Sequence, residues 1–185
     1  MLRATIDAAL REIVHAHRRL ELVSLVAQEG RFDFEAAERA WGSDKWVASV
    51  RYLVDTSVFA RLTKPCVAAA FAPLAAGRQV ALGGPVAFEL GYAAMSPDDY
   101  QEVAYRLQSF PAVATTDADH QRALEVQAAL ATRSQHRALS IVDALVAATA
   151  EARGLTVLHY DGDFELVAAI TGQPHEWIVP RGTAD

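Results

Sequence analysis

Five carboxylates in this chain stand where a side chain can do chemistry instead of decorating a surface. Asp55 ends the apolar run Tyr52-Leu53-Val54 and is followed by Thr56 and Ser57; Glu89 interrupts Val86 to Ala94; Asp143 interrupts Ile141 to Val146; Asp161 and Asp163 follow Leu155 to Tyr160. An unpaired carboxylate in apolar surroundings is costly, and several held within a few ångströms of one another repel and partly protonate. A hard divalent cation between them removes both costs, and all-oxygen ligation suits Mg²⁺ or Mn²⁺. Each acid also has a plain structural reading. Asp55 or Ser57 caps a helix, Glu89 faces solvent, Asp143 closes a capping box with Ser140, and Asp161 caps the last helix.

The elements that must position these acids alternate between strand and helix. The β-favouring run Tyr52 to Val54 precedes a helical turn over Val58 to Leu62. Pro65 to Ala76 reads as a helix ended by Gly77, and Gln79 to Leu82 as a strand. Gly83-Gly84-Pro85 opens a helix to about Met95, and Ser96-Pro97-Asp98-Asp99 caps one that runs to about Ser109. Ala112 to Thr115 is a strand, Asp117 to Arg133 a helix, Ser140 to Arg153 a helix closed by Gly154, Leu155 to Tyr160 a strand, Asp163 to Ile170 a helix and Glu176 to Val179 a final strand. Such alternation predicts an α/β/α sandwich around a parallel sheet. Residues just past the carboxyl ends of its strands line the ligand crevice, and Asp55, Thr56 and Ser57 fall there.

The first 49 residues differ in texture. Ile6, Leu10, Ile13, Val14, Leu20, Val23 and Val26 recur at helical spacing among charged residues, predicting one amphipathic helix from Ala4 to Gln28 that stops at Gly30. An arm follows with Phe32, Phe34, Trp41 and Trp46 spread along it, then the linker Gly42 to Lys45. A lone amphipathic helix has nothing of its own to pack on, so its stripe is expected to lie on the main domain or on another chain.

Composition removes several classes. The chain has 185 residues, 52% of them apolar, enough for one main domain plus an appendage. No signal peptide or 18-residue apolar run is present, so a cytoplasmic protein without a membrane partner is expected. A single cysteine, Cys66, excludes an internal disulfide and a cysteine-built zinc site. No HExxH and no phosphate-binding GxxxxGK[ST] occurs. The net charge of −6 opposes a broad nucleic-acid face, less so if a cation cancels several of the acids.

Val54-Asp-Thr-Ser57, Phe88-Glu-Leu90, the stretch Arg137 to Ala150 (RALSIVDALVAATA) and His159-Tyr-Asp-Gly-Asp-Phe164 occur in the order and spacing of a PIN domain. The segment 50–185 resembles such a domain of the VapC toxin type. The segment 1–49 resembles, over Ala9 to Val14 and Gly30 to Phe34, the C-terminal part of a VapB antitoxin. The resemblance implies a toxin of a type II toxin-antitoxin system that hydrolyses RNA phosphodiesters with Mg²⁺ or Mn²⁺. It makes Asp55, Glu89, Asp143 and Asp161 the catalytic, metal-holding acids, Asp163 an auxiliary ligand, and Ser57 the side chain that steadies a ligand or a bound water from behind. Arg61, Arg133 and Arg137 are candidates for phosphate contacts.

VapB antitoxins usually begin with a ribbon-helix-helix unit, and this chain starts just before what resembles its second helix. Operator DNA binding is therefore not expected in this form. The resemblance further implies a fused arm that restrains the nuclease in cis or from a neighbouring chain, Phe32, Phe34 and Trp41 filling pockets while Arg39 approaches the acids; Lys45 is second choice. Homodimerisation through the toxin part is implied as well. Two other readings compete: a catalytically silent complex that acts only in protein association, and a receiver-like phosphoacceptor domain. The latter is disfavoured because such domains carry a lysine after a late strand, whereas the lysines here are Lys45 and Lys64.

Overall fold

Three consecutive buried side chains, Tyr52, Leu53 and Val54, form β1 (Tyr52–Val54). A strand with no polar face has to be covered on both sides, which is the position of a central strand in a parallel sheet. The computed structural model describes residues 49–185. The helix expected over Ala4 to Gln28, the arm residues Phe32, Phe34, Arg39, Trp41 and Trp46, and Lys45 lie outside the described residues. β1 pairs in parallel with β2 (Val80–Gly83) and with β4 (Thr156–His159); β3 (Ala112–Val113) adds beyond β2 and β5 (His175–Trp177) beyond β4. The order is β3-β2-β1-β4-β5. The direction of winding reverses between β1 and β4, and the crevice of such a sheet opens at the carboxyl ends of the strands that flank this reversal.

Seven helices of the described residues connect and cover the strands: α1 (Thr56–Phe59), α2 (Pro65–Ala76), α3 (Gly84–Tyr92), α4 (Pro97–Leu107), α5 (Asp117–Ala131), α6 (Ile141–Ala152) and α7 (Asp163–Thr171). Their ends follow local chemistry. α2 opens on Pro65, α4 on the Ser96 cap with Pro97 behind it, and α7 stops at Gly172, whose φ of 72° suits a residue without Cβ. α6 packs against β1, β4, α3 and α5, so Asp143 in its first turn overlooks the strand ends. Phe59 of α1 and Phe71 of α2 fill the core and Phe110, after α4, packs against it, Phe59 meeting the other two edge-on with ring centroids 5.7 and 5.9 Å away.

Several expected boundaries move for identifiable reasons. The turn after β1 begins at Thr56 instead of Val58, because Asp55 caps it by accepting the Ser57 N–H. α3 ends at Tyr92, short of Met95. β3 stops at Val113, since the Thr115 hydroxyl lies 3.2 Å from Thr149 Oγ1 and Thr116 is already the cap of α5. β5 starts one residue early, with His175 in register with Val157 of β4.

Asp119 ties α5 to α6. It is only 2% exposed, accepts from Arg153 Nη1 at 2.9 Å and from the Thr116 N–H at 2.7 Å. Burial alone would raise its pKa, but the hydrogen bonds from Arg153 and Thr116 outweigh it and hold the carboxyl below its ordinary value. A depressed folded pKa contributes stability above the unfolded value near 3.9 that is lost as pH falls through the folded one. Asp119→Asn should therefore cost about 2 kcal/mol at neutral pH and flatten the loss of stability on acidification, as read by urea titrations between about pH 7 and pH 3.

Candidate active site

Asp55 is the first residue past β1. Its N–H donates to Leu158 O of β4 at 2.9 Å, which fixes it between the two central strands. Its carboxylate Oδ2 accepts the Ser57 N–H at 2.8 Å, whereas Oδ1 is buried and has no hydrogen-bond partner among the described residues. Burial pushes the Asp55 pKa up to about 6; hydrogen bonds from Ser57 oppose the rise and the charge of Asp143 adds to it. The Ser57 hydroxyl also accepts the Tyr160 N–H at 2.8 Å, so one side chain joins the ends of β1 and β4.

The other acids approach from three further elements. Glu89 of α3 is half-buried and accepts from Thr56 Oγ1 at 2.6 Å, so it is not turned wholly to solvent. Asp143 accepts the Ser140 N–H at 3.3 Å and donates its own N–H to Ser140 Oγ at 3.0 Å, so the capping box is real. It also faces the cluster: burial raises its pKa, hydrogen bonds with Ser140 resist, and the charges of Asp161 and Glu89 raise it further. Asp163, the first residue of α7, is raised by burial and then by the charges of Asp161 and Asp143. Asp161 does not cap α7. The cap is Gly162, in helical backbone with no side-chain bond, and Asp161 Oδ1 instead accepts the Asp163 N–H at 3.0 Å.

The charge of Asp143 thus couples to Asp55 and Asp163, and those of Glu89 and Asp161 to Asp143, while Asp55 keeps one oxygen without a donor among the described residues. Among the described residues no three His, Cys, Asp or Glu side chains stand close enough to form a ready-made metal-binding group. The donor set is nonetheless all oxygen, and the bare Asp55 Oδ1 in a buried setting is what a hard cation would satisfy.

The arginines separate. Arg61 lies beside the cluster, its Nη1 donating to Ser57 O at 3.3 Å and its guanidinium 4.5 Å from the centre of the Tyr160 ring. Arg133 and Arg137 are exposed on the segment between α5 and α6 and form no ion pair among the described residues. Two side chains take roles that the sequence did not assign: Thr56, expected in the crevice, has a distant partner, and His159 was not singled out. Thr56 holds Glu89, 33 positions away. His159, fully buried at the end of β4, accepts the Asp161 N–H at Nδ1, 3.0 Å away. Burial, and then the neighbouring His175, depress its pKa to about 4, so it is neutral at physiological pH. The available signal was a polar residue closing the apolar run Leu155 to Leu158.

Coupled carboxylates at the carboxyl ends of the central strands of a parallel α/β sheet define a class, and residues 52–170 match the PIN domain family. Solved structures agree on the fold: VapBC2 of Rickettsia felis has a TM-score of 0.57 at 16% identity, over 69% of this chain and 99% of that one. VapBC of Salmonella typhimurium gives 0.56 at 18% identity, over 70% and 99%. Ribonuclease VapC51 of Mycobacterium tuberculosis is 47% identical over 137 residues, 74% of this chain and 99% of its own length. Ribonuclease VapC21 of the same organism is 41% identical, with the same coverage. The chain belongs to the PIN-domain family and, within it, to the VapC toxin ribonucleases.

Proposed function

We propose that this chain is a divalent-metal-dependent endoribonuclease in which Asp55, Glu89, Asp143 and Asp161 hold Mg²⁺ or Mn²⁺ and Asp163 assists. The observation that carries the reading is the buried Oδ1 of Asp55, without a hydrogen-bond partner among the described residues, in a carboxyl whose pKa burial and the charge of Asp143 raise, beside Asp143 and Asp163, which burial and neighbouring acids also raise. When bound, the ion supplies Lewis acidity for hydrolysis of a phosphodiester. The protein's own residues hold the geometry. Ser57 orients Asp55 and Thr56 orients Glu89, while Ser140 fixes Asp143 on the first turn of α6. Arg61, pinned by the Ser57 carbonyl and the Tyr160 ring, offers a phosphate contact at the edge of the cluster, with Arg133 and Arg137 as outer contacts.

Residues 1–49 are proposed as an antitoxin-like restraint, acting in cis or on a neighbouring chain. In support, VapC51 and VapC21 are matched over 99% of their own length by only 74% of this chain, which leaves about a quarter of it over. Pairing of two toxin domains is part of the proposal, and the exposed apolar Phe88, Tyr92 and Met95 on and after α3 suit it. The rival reading is a silent complex that acts only in protein association. Among the described residues no helix is long and apolar enough to cross a membrane.

One experiment separates the two. Mn²⁺ binding by calorimetry and cleavage of a varied RNA set with and without Mg²⁺ or Mn²⁺ are measured for the intact chain, residues 50–185, and Asp143→Asn. Metal-dependent cutting that falls at least about 100-fold in the variant is expected. Folded protein that binds no Mn²⁺ and cuts nothing sinks the nuclease.

A further inference from the structure

His159 is fully buried, yet both of its ring nitrogens are engaged. Nδ1 receives the Asp161 N–H at 3.0 Å, and Nε2 lies 2.8 Å from His175 Nδ1 on the neighbouring strand β5. A nitrogen that accepts a backbone N–H carries no proton, so the hydrogen of the neutral ring is on Nε2, and His175 Nδ1 is its acceptor. The ring is wedged by Phe164, His175 and Trp177, with centroids 4.9, 5.0 and 4.9 Å away. Rotation is blocked, and the bare Nδ1 is aimed at the loop after β4. That loop carries the acids: Asp161 takes its backbone direction from His159, and its Oδ1 in turn receives the Asp163 N–H at 3.0 Å. Donor to acceptor, the bonds thus run from the Asp163 N–H to the Asp161 carboxylate, from the Asp161 N–H to His159, and from His159 to His175 at the sheet edge, so one network ties the loop that carries both acids to β5.

We propose that His159 is a positioning residue for the active site: held by His175 as the Nε2–H tautomer, it presents a bare Nδ1 that sets the Asp161–Asp163 loop. The proposal rests on the reading of Asp161 and Asp163 as metal-holding acids. Nearby groups that orient metal ligands act at one remove, and their loss typically weakens metal affinity about 10- to 100-fold. A residue that only filled the core would be replaceable by any apolar side chain of its size, whereas this role requires an acceptor at one particular place.

The test compares His159→Asn, His159→Gln and His159→Leu in the intact chain. The Asn side-chain oxygen reaches the position of Nδ1 and can still accept the Asp161 N–H; Gln reaches instead toward His175, and Leu offers no acceptor. Three quantities are read: the imidazole tautomers by long-range ¹H–¹⁵N correlation, hydrogen exchange of the Asp161 amide, and Mn²⁺ affinity by calorimetry. His159 should show a protonated Nε2 and a bare Nδ1. His159→Asn should keep Asp161 amide protection and near wild-type Mn²⁺ affinity, while His159→Gln should lose protection and bind Mn²⁺ about 10- to 100-fold more weakly. His159→Leu, where it folds, should resemble Gln. A proton on Nδ1, or equal protection and equal affinity in the Asn and Gln variants, overturns the role. If the tautomer and exchange results hold but the wild-type chain binds no Mn²⁺, the positioning stands and the metal reading falls.

Discussion

Asp55→Asn is expected to lower RNA cleavage by at least about 100-fold and, in the presence of a chelator, to stabilise the folded chain at neutral pH. The second effect follows from the same buried oxygen as the first. Asp55 titrates at about 6 in the folded chain against roughly 3.9 unfolded. The folded state therefore binds a proton that the unfolded state has released. Stability is greatest below about pH 4 and falls as pH rises through the folded value, by about 3 kcal/mol for two units. Asparagine carries no charge to desolvate, although its amide N–H must find an acceptor where Oδ1 had none. A net gain of about 1–2 kcal/mol near pH 7.5 remains after that cost, shrinking to nothing near pH 4. Urea unfolding of both proteins in chelator across this range checks the sign, and Mn²⁺ should then stabilise the wild type alone. A variant less stable than wild type at pH 7.5 would mean that the Asp55 carboxylate already has a favourable partner.

The two halves of that prediction express one fact. On the proposed reading, a carboxylate that is costly without a counter-charge is the one that would attract a cation, so function and stability would pull Asp55 in opposite directions. Asp143 and Asp163 carry the same signature, with pKa values raised first by burial and then by neighbouring acids. Asp119 is the opposite case. It is equally hidden from solvent, but Arg153 neutralises it and its pKa goes down. The contrast separates a carboxylate whose charge the fold neutralises with an arginine from the proposed metal-holding ones, whose charged neighbours are other acids.

Much of this arrangement was legible in the chain before folding, because it depends on local signals. Pro65 and Gly77 bracket α2 at its observed limits, and the Ser140 to Asp143 spacing announces a capping box that is present. Asp55 after a three-residue apolar run is found at a strand end beside the reversal of the sheet. What sequence could not supply are contacts between distant positions. Nothing local indicates that Thr56 holds Glu89, or that the Ser57 hydroxyl reaches the Tyr160 N–H across 103 positions. His159 was hidden for another reason: in a strand buried on both faces there is no alternation to mark which polar residue turns inward. The capping readings of Asp55 and Asp143 also proved compatible with a functional one, since a carboxylate has two oxygens and a cap uses one of them.

Removal of residues 1–49 is expected to raise RNA cleavage on the order of 100-fold over the intact chain. A tethered segment acts at an effective concentration in the millimolar range, so even an arm of modest affinity occupies its site almost fully. Arg39 is the side chain to test, because a guanidinium pairs bidentately with carboxylates and the site holds several whose mutual repulsion it would relieve. Arg39→Ala in the intact chain should recover part of the gain, and the aromatic residues Phe32, Phe34 and Trp41 the rest. About 15 residues of arm reach roughly 50 Å when extended, enough to serve the chain's own domain or a neighbour's. Dilution distinguishes them: restraint in cis is independent of concentration, whereas restraint in trans weakens as the chains separate. Equal cleavage by the intact chain and by residues 50–185, at matched Mn²⁺ and with both folded, would dismiss the restraint while leaving the nuclease untouched, because the acids that define the site all lie beyond residue 49.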